Sequence, residues 1–470
     1  MSIDCLDLDL AHLILFMKGH KMNLEFDLIL AGGICALTKD NGGVSFEETS
    51  IGIIDHKIHS ISQGLENKFT AKKILNAKAL HILPGVIDTQ VHFRDPGLTH
   101  KEDLASGTLA AIAGGVTSVL EMPNTKPAIT TRELFLQKCE STQNRIWCNI
   151  GFFIGATEKN KAELRSLENL YACCGIKIFM GSSTGDLLVA NEDSIFEILS
   201  STKGPIAVHA EDEELLAQKK KDFEGCHDVL QHANIRSEQV ALKATQQITR
   251  LAEKAKRKVH ILHVSSQEEM EFLRDRKQYI TVETTPQFLL MSAPDCYEKL
   301  GTKAQMNPPI RSERHRLAVW HGLENGTVDV IGTDHAPHTL EEKALTYPNS
   351  PSGMPGVQTL VPLMLDLVNQ KKLSLEKLVE LLCHNPARIY SPKAKGHLRV
   401  GFDADITVVD LKKQKTIENR WIKSKVGWTP YDQIKVSAWP FASIIRGQIA
   451  MQEDEIIGNP KGSLIEFEQR

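Results

Sequence analysis

Several features are missing from this chain, and each absence excludes a class of protein. No apolar run is long enough to cross a bilayer. The stretch from Leu10 to Met17 is too short, and Asp4, Asp7 and Asp9 stand where a signal peptide carries positive charge. Neither sign of charge dominates: 55 Lys and Arg against 59 Asp and Glu leave a net charge of -4. That balance gives no reason to expect nucleic acid or an anionic membrane as partner. The nine cysteines form no Cys-x-x-Cys pair and no regular spacing, as expected of reduced thiols in a cytoplasm. Strict repeats, low-complexity tracts and long linkers are absent as well.

What is present is a soluble-protein composition, 41% hydrophobic and 24% charged, over 470 residues. That length suits one barrel of roughly 250–300 residues with a smaller companion domain. Residues 1–21 read as an extension outside the folded part, and a domain-like pattern starts at Met22, a candidate initiator. Short strand-like runs at Phe26–Leu30, Ser50–Ile54 and Ile58–Ser62, separated by turn residues, predict a small β-domain over 22–81. From Leu83 onward short apolar runs alternate with amphipathic stretches. Candidate strands are Leu83–Ile87, Val116–Met122, Trp147–Phe153, Gly175–Phe179, Pro205–His209, Val259–His263, Ile280–Thr284 and Val328–Gly332. Helix-like segments fall between them, among them Glu102–Ala113, Asp193–Ser200, Ser237–Lys254 and Gln267–Asp275. Eight such alternations predict a (β/α)8 TIM-like barrel over 82–390. After Ser391 the texture returns to β, with Ala404–Val409, Ser443–Arg446 and Gln448–Met451. Residues 22–81 and 391–460 together are expected to form one small β-sandwich domain.

Potential metal ligands sit at the ends of these apolar runs, and in such a barrel the strand ends face one site. Gln90 and His92 alternate to the same side of the first strand. Lys177 interrupts an apolar run, and burying an ammonium is costly unless its chemistry changes. Reaction with carbon dioxide would give a carbamate able to bridge cations. A lysine reaching the rim is the plainer alternative. His209 and His263 each close an apolar run and suit zinc-like ions. His260 alternates to the face opposite His263 and reads as structural. Asp334 follows Val328–Thr333 and can touch a metal, take a proton from water, or simply cap a helix.

The whole set resembles the amidohydrolase superfamily and, within it, the dihydroorotases. The motifs are Leu83-Pro84-Gly85-Val86-Ile87-Asp88, His92-Phe93-Arg94-Asp95-Pro96-Gly97, Glu121-Met122-Pro123-Asn124-Thr125, Lys177, His209, His263, Asn307-Pro308-Pro309-Ile310-Arg311, Asp334-His335-Ala336-Pro337-His338 and Asn385-Pro386-Ala387. The resemblance implies one or two Zn2+ held by His92, Lys177, His209, His263 and Asp334, with Lys177 N6-carboxylated. It also implies Asp334 as the proton-transferring catalytic residue. Arg94, Asn124 and His338 would hold a substrate carboxylate, a guanidinium matching it bidentately. Asn307 and the Gly353 loop would meet the ring amides. The implied reaction is reversible hydrolysis of dihydroorotate to N-carbamoyl-aspartate in pyrimidine biosynthesis, by a cytoplasmic homodimer.

Two positions depart from the family pattern. Gln90 stands where His-x-His is usual and is a weaker, neutral ligand. Gln287 also replaces a histidine. Three functions follow: an active dihydroorotase, a non-catalytic scaffold beside aspartate transcarbamoylase, or a cyclic amidase of the hydantoinase or allantoinase type. Arg94 and Asn124 speak against the last.

Overall fold

The computed structural model describes residues 24–39, 42–181 and 187–469. The predicted extension 1–21 lies outside the described residues. No helix among those described is long and apolar enough to cross a membrane.

The chain opens with β1 (Glu25–Thr38), β2 (Val44–Ile54), β3 (Lys57–Ser62), β4 (Thr70–Asn76) and β5 (His81–Pro84). Eight strands then alternate with helices: β6 (Val86–Val91), β7 (Val116–Glu121), β8 (Asn149–Gly155), β9 (Cys173–Phe179), β10 (Ile206–His209), β11 (Val259–Ile261), β12 (Ile280–Thr284) and β13 (Val330–Ile331). These eight form one parallel sheet in sequence order, β6 through β13. Their residues are almost all buried, since helices cover one face and the barrel interior fills the other. Closure between β13 and β6 comes from residues beyond the strand end: His92 N donates to His335 O at 2.8 Å, and Thr333 N to Asp88 Oδ1 at 3.0 Å. The sheet is therefore a nearly closed (β/α)8 barrel.

The later strands are β14 (Ile406–Asp410), β15 (Lys415–Thr416), β16 (Lys435–Val436), β17 (Trp439–Ile445), β18 (Gln448–Gln452) and β19 (Glu455–Ile456). All but β15 and β16, which pair with each other, join the five N-terminal strands in a separate sheet ordered β19-β18-β17-β14-β5-β1-β2-β3, with β4 on β1. N- and C-terminal segments thus build one sheet, with its own apolar cluster of Leu28, Leu30, Ile51, Ile82, Ile406 and Ile444 among others. After β19 the chain returns to the barrel, where Ile465 and Phe467 pack with Phe153, Leu120 and Tyr390.

The predicted strand Leu83–Ile87 does not exist as one element. It breaks at Gly85, whose N–H donates to Asp405 O at 2.8 Å. A Cβ there would lie 2.2 Å from Thr117 Oγ1, so only glycine permits the crossing from one sheet to the other. Residues 81–84 pair with β14, and 86–91 start the barrel. The predicted strand Val328–Gly332 is likewise shorter: Asn325 Oδ1 accepts from Thr327 N in the turn before it, and the Asp329 carboxylate accepts from Val282 N of β12, leaving Val330–Ile331 as the strand. Helix starts follow their caps. The predicted helix Glu102–Ala113 begins at Leu104 because Asp103 forms a capping box with Ser106.

Candidate active site

The C-terminal ends of the barrel strands open into a cavity of about 800 Å³. Its lining brings together Gln90, His92, Arg94, Asn124, Lys177, His209, His263, Asn307, Asp334, His338 and Gly353. Every site residue expected from the sequence therefore borders one space. Three of them, Arg94 (φ 63), His263 (φ 40) and Asp334 (φ 49), have left-handed backbone, uncommon for residues with a Cβ. This explains why His263 enters the cavity although β11 ends at Ile261. The strand alternation used to separate it from His260 no longer applies there. His260 does not line the cavity; it bonds Thr281 Oγ1 at 2.8 Å and Glu283 Oε2 at 3.3 Å.

Two ring nitrogens, each with its tautomer set by an outer contact, face this space. His92 Nδ1 donates to Asn124 Oδ1 at 2.5 Å, which leaves Nε2 as a lone pair 3.0 Å from Asp334 Oδ1. His209 Nε2 donates to Glu211 Oε2 at 2.7 Å, which leaves its Nδ1 as a lone pair 3.0 Å from His263 Nε2. Burial holds His92, His209 and His263 below the ordinary imidazole range, so they are neutral near pH 7. Burial pushes the Asp334 carboxyl up, but its surroundings of His92, His263 and Lys177 outweigh that and hold it below the usual carboxylate range.

Lys177 Nζ lies in the same space, fully buried and without a hydrogen-bond partner. Burial lowers its pKa to about 7, against the pull of Asp334 and Glu283. Gln90 Oε1 and His263 Nδ1 are also buried and unbonded. Lone pairs without donors, a carboxylate and an amine able to carry carbon dioxide are a donor set that fits a divalent cation. Among the described residues no three His, Cys, Asp or Glu side chains alone gather closely enough to hold one. The set is complete only with Gln90 and Lys177.

Toward one wall, Arg94 is 6% exposed and pairs with no carboxylate among the described residues. Its Nε has no hydrogen-bond partner, and its Nη2 lies 3.3 Å from His338 Nε2. Burial brings its pKa down to about 10, still a cation at neutral pH. Asn307 Oδ1 is 3.0 Å from His232 Nε2. Gly353 (φ 133) packs so closely that a Cβ would meet Ala336 O at 2.5 Å. Lys343 Nζ donates to Gln305 O, Pro351 O and Gly353 O, fastening this loop.

Sequence reasoning missed the groups that orient these residues. Glu211 is ionised because Arg236 outweighs its burial, and it fixes the His209 tautomer. The only sequence signal was an acid two residues after a strand-end histidine. Asn124 was assigned to the substrate, yet its carbonyl is spent on His92, which leaves its amide nitrogen as the remaining donor. Gln287 bonds Thr333 O at 3.0 Å and does not line the cavity.

The chain matches the amidohydrolase family over residues 81–447. It is 37% identical over 420 residues to a dihydroorotase of Pyrococcus abyssi, covering 88% of this chain and 94% of that protein. It is 35% identical over 408 residues to a dihydroorotase of Methanosarcina acetivorans, covering 84% of this chain and 86% of that one. Among solved structures, an L-hydantoinase from Arthrobacter aurescens superimposes with a TM-score of 0.88 at 27% identity, covering 94% of this chain and all of that one. The chain belongs to the amidohydrolase family.

Proposed function

We propose that this chain is a dihydroorotase, catalysing reversible hydrolysis of (S)-dihydroorotate to N-carbamoyl-L-aspartate in pyrimidine building. One observation carries the reading. Arg94 is a buried guanidinium without a carboxylate partner among the described residues, bordering the same cavity as the ligand-like set. A buried charge needs compensation, and a substrate carboxylate supplies it. Hydantoin has no such group. The dihydroorotase relatives, which share most of their length with this chain, support the same substrate.

Lys177, carboxylated on Nζ, with His209 and His263 would hold one Zn2+, and the same lysine with His92, Asp334 and Gln90 a second. Bound there, the cation would polarise the ring carbonyl and make water a stronger nucleophile at neutral pH. Asp334, ionised and 3.0 Å from His92 Nε2, accepts the proton of the attacking water and returns it to the departing ring nitrogen. Arg94 and His338 hold the carboxylate, so the ring amide faces Asp334. Asn307 and the Gly353 loop border the ring. The chain functions in the cytoplasm as a homodimer in this reading. A scaffold role beside aspartate transcarbamoylase is the second reading, favoured by Gln90 alone.

The deciding measurement is ring closure of N-carbamoyl-L-aspartate beside hydantoin hydrolysis, with metal content per chain. Ring closure with bound zinc supports the proposal. Faster hydantoin turnover overturns the substrate, and absence of both metal and activity after reconstitution favours the scaffold.

A further inference from the structure

A lysine stands behind His338 without lining the cavity. Lys101 Nζ lies 3.1 Å from His338 Nδ1 and 3.0 Å from Glu342 Oε1, with its side chain 12% exposed. Paired with that carboxylate it is an ammonium, a group that can only donate. On the far side of the ring, His338 Nε2 is 3.0 Å from the carbonyl oxygen of Ser352, which can only accept. One arrangement satisfies both neighbours: Nδ1 accepts from Lys101 and Nε2–H donates to Ser352 O. An imidazolium would set a second donor against Lys101. Burial, together with the charges of Arg94 and Lys101, holds the ring far below its usual range. The Glu342 carboxylate is 3.6 Å from Nδ1, too far to compete.

The consequence reaches Arg94. Its Nη2 lies 3.3 Å from His338 Nε2, and with a hydrogen on that nitrogen the two groups are donors side by side. Neither satisfies the other. Both hydrogens are then available to an anion entering between them, with the Ser352 carbonyl holding the His338 hydrogen until it arrives. With the proton on Nδ1, the Nε2 lone pair would take the Arg94 hydrogen. The pair would close on itself, and a carboxylate would meet a lone pair.

We propose that Lys101 is a positioning residue for substrate binding: it fixes His338 as the Nε2–H tautomer, so that Arg94 and His338 both present donors to the substrate carboxylate. The proposal rests on the carboxylate-bearing substrate argued above. Other ring-orienting contacts here are Asn124 on His92 and Glu211 on His209, both carboxamide or carboxylate acceptors. Lys101 works with the opposite sign, as a donor that forces a nitrogen to accept.

The test uses the full-length holoenzyme with 15N-labelled histidine, assigned through H338N. The unaltered chain should show His338 protonated at Nε2, and K101M should move it to Nδ1–H or to a mixture. K101M should raise KM for N-carbamoyl-L-aspartate and dihydroorotate roughly tenfold, the loss of about one hydrogen bond, with kcat nearly unchanged. K101R should restore both the tautomer and KM. Any hydantoin turnover, which involves no carboxylate, should be unaffected. An Nδ1–H tautomer in the unaltered chain, or a K101M protein that keeps both Nε2–H and its KM, overturns the proposal. If N-carbamoyl-L-aspartate is not a substrate at all, the functional reading fails, and the ring spectrum still decides the role of Lys101.

Discussion

Gln90 Nε2 donates a hydrogen bond to Asp334 Oδ1 across 3.0 Å, and Gln90 Oε1 is buried without a partner. The amide therefore does two opposed things at one site. It offers a neutral oxygen to a cation while its nitrogen occupies the carboxylate oxygen that a cation would want. A neutral imidazole would turn a nitrogen lone pair to the cation and keep its one N–H on the other ring nitrogen, away from the metal.

Unequal metal occupancy follows from this pair. Metal analysis of the unaltered protein should find the Lys177, His209 and His263 site filled, and the Gln90, His92 and Asp334 site partly or wholly empty unless zinc is added. Gln90→His should tighten the looser site, by about tenfold or more given the weaker donor it replaces, and raise activity with it. Two tightly held cations in the unaltered chain would show Gln90 to be no handicap.

Lys177→Ala should lose both activity and metal. Short carboxylic acids should restore part of each, because they supply the oxygens that the carboxylated lysine provides. Metal content and ring-closing rate, measured with and without acetate, check this. A fully active Lys177→Ala protein would rule out the bridging role.

The low pKa of Lys177 has a pH signature in the metal-free protein. Burial depresses it to about 7, so the free amine that reacts with carbon dioxide is gained as pH rises toward 7 and saturates above it. An ordinary lysine, titrating near 10.5, would keep gaining free amine as the pH rises through that value. At fixed dissolved carbon dioxide, the rate of reactivation by bicarbonate and zinc should climb through about pH 7 and level off. A rate that keeps climbing to pH 10 contradicts the buried placement.

Arg94→Ala removes the buried guanidinium and should weaken carboxylate-bearing substrates selectively. The loss should be about 2–3 kcal/mol, or roughly 30- to 150-fold in kcat/KM. Steady-state kinetics on dihydroorotate and hydantoin separate this from general damage, which would lower both.

Gly353→Ala probes the loop fastened by Lys343. The φ of 133 and the 2.5 Å approach to Ala336 O leave no room for a methyl group. KM should rise several-fold while the melting temperature of the whole chain falls only slightly, because the strain is local. Unchanged kinetics would show that the loop adapts freely.

Much of this was legible in the sequence because strand-end ligands in a parallel barrel obey a simple rule. His92, Lys177, His209 and Asp334 end or interrupt apolar runs, and the barrel gathers those ends. The Gly85 break was hidden, since Leu83–Ile87 reads as one continuous apolar run and only the nearness of Thr117 and Asp405 reveals the crossing. The roles of Glu211, Arg236 and Lys101 were hidden for a different reason. They act through contacts between distant segments, such as the 237 residues that separate Lys101 from His338. Local pattern carries no record of such pairs. The left-handed backbone of His263 defeated the alternation argument in the same way.

The shared sheet also governs how the chain can be made. β5 lies between β1 and β14, and Val86 N, just past Gly85, donates to Thr407 Oγ1, 321 residues further along. A nascent chain that has already emitted its entire barrel still carries β5 as an open edge with unpaired backbone groups, the kind of edge that recruits other chains. Release from the ribosome before residue 406 would leave that edge permanently unpaired. Shortened forms of this protein should therefore self-associate rather than persist as smaller barrels, and a stalled ribosome would display an aggregation-prone intermediate rather than a finished catalyst.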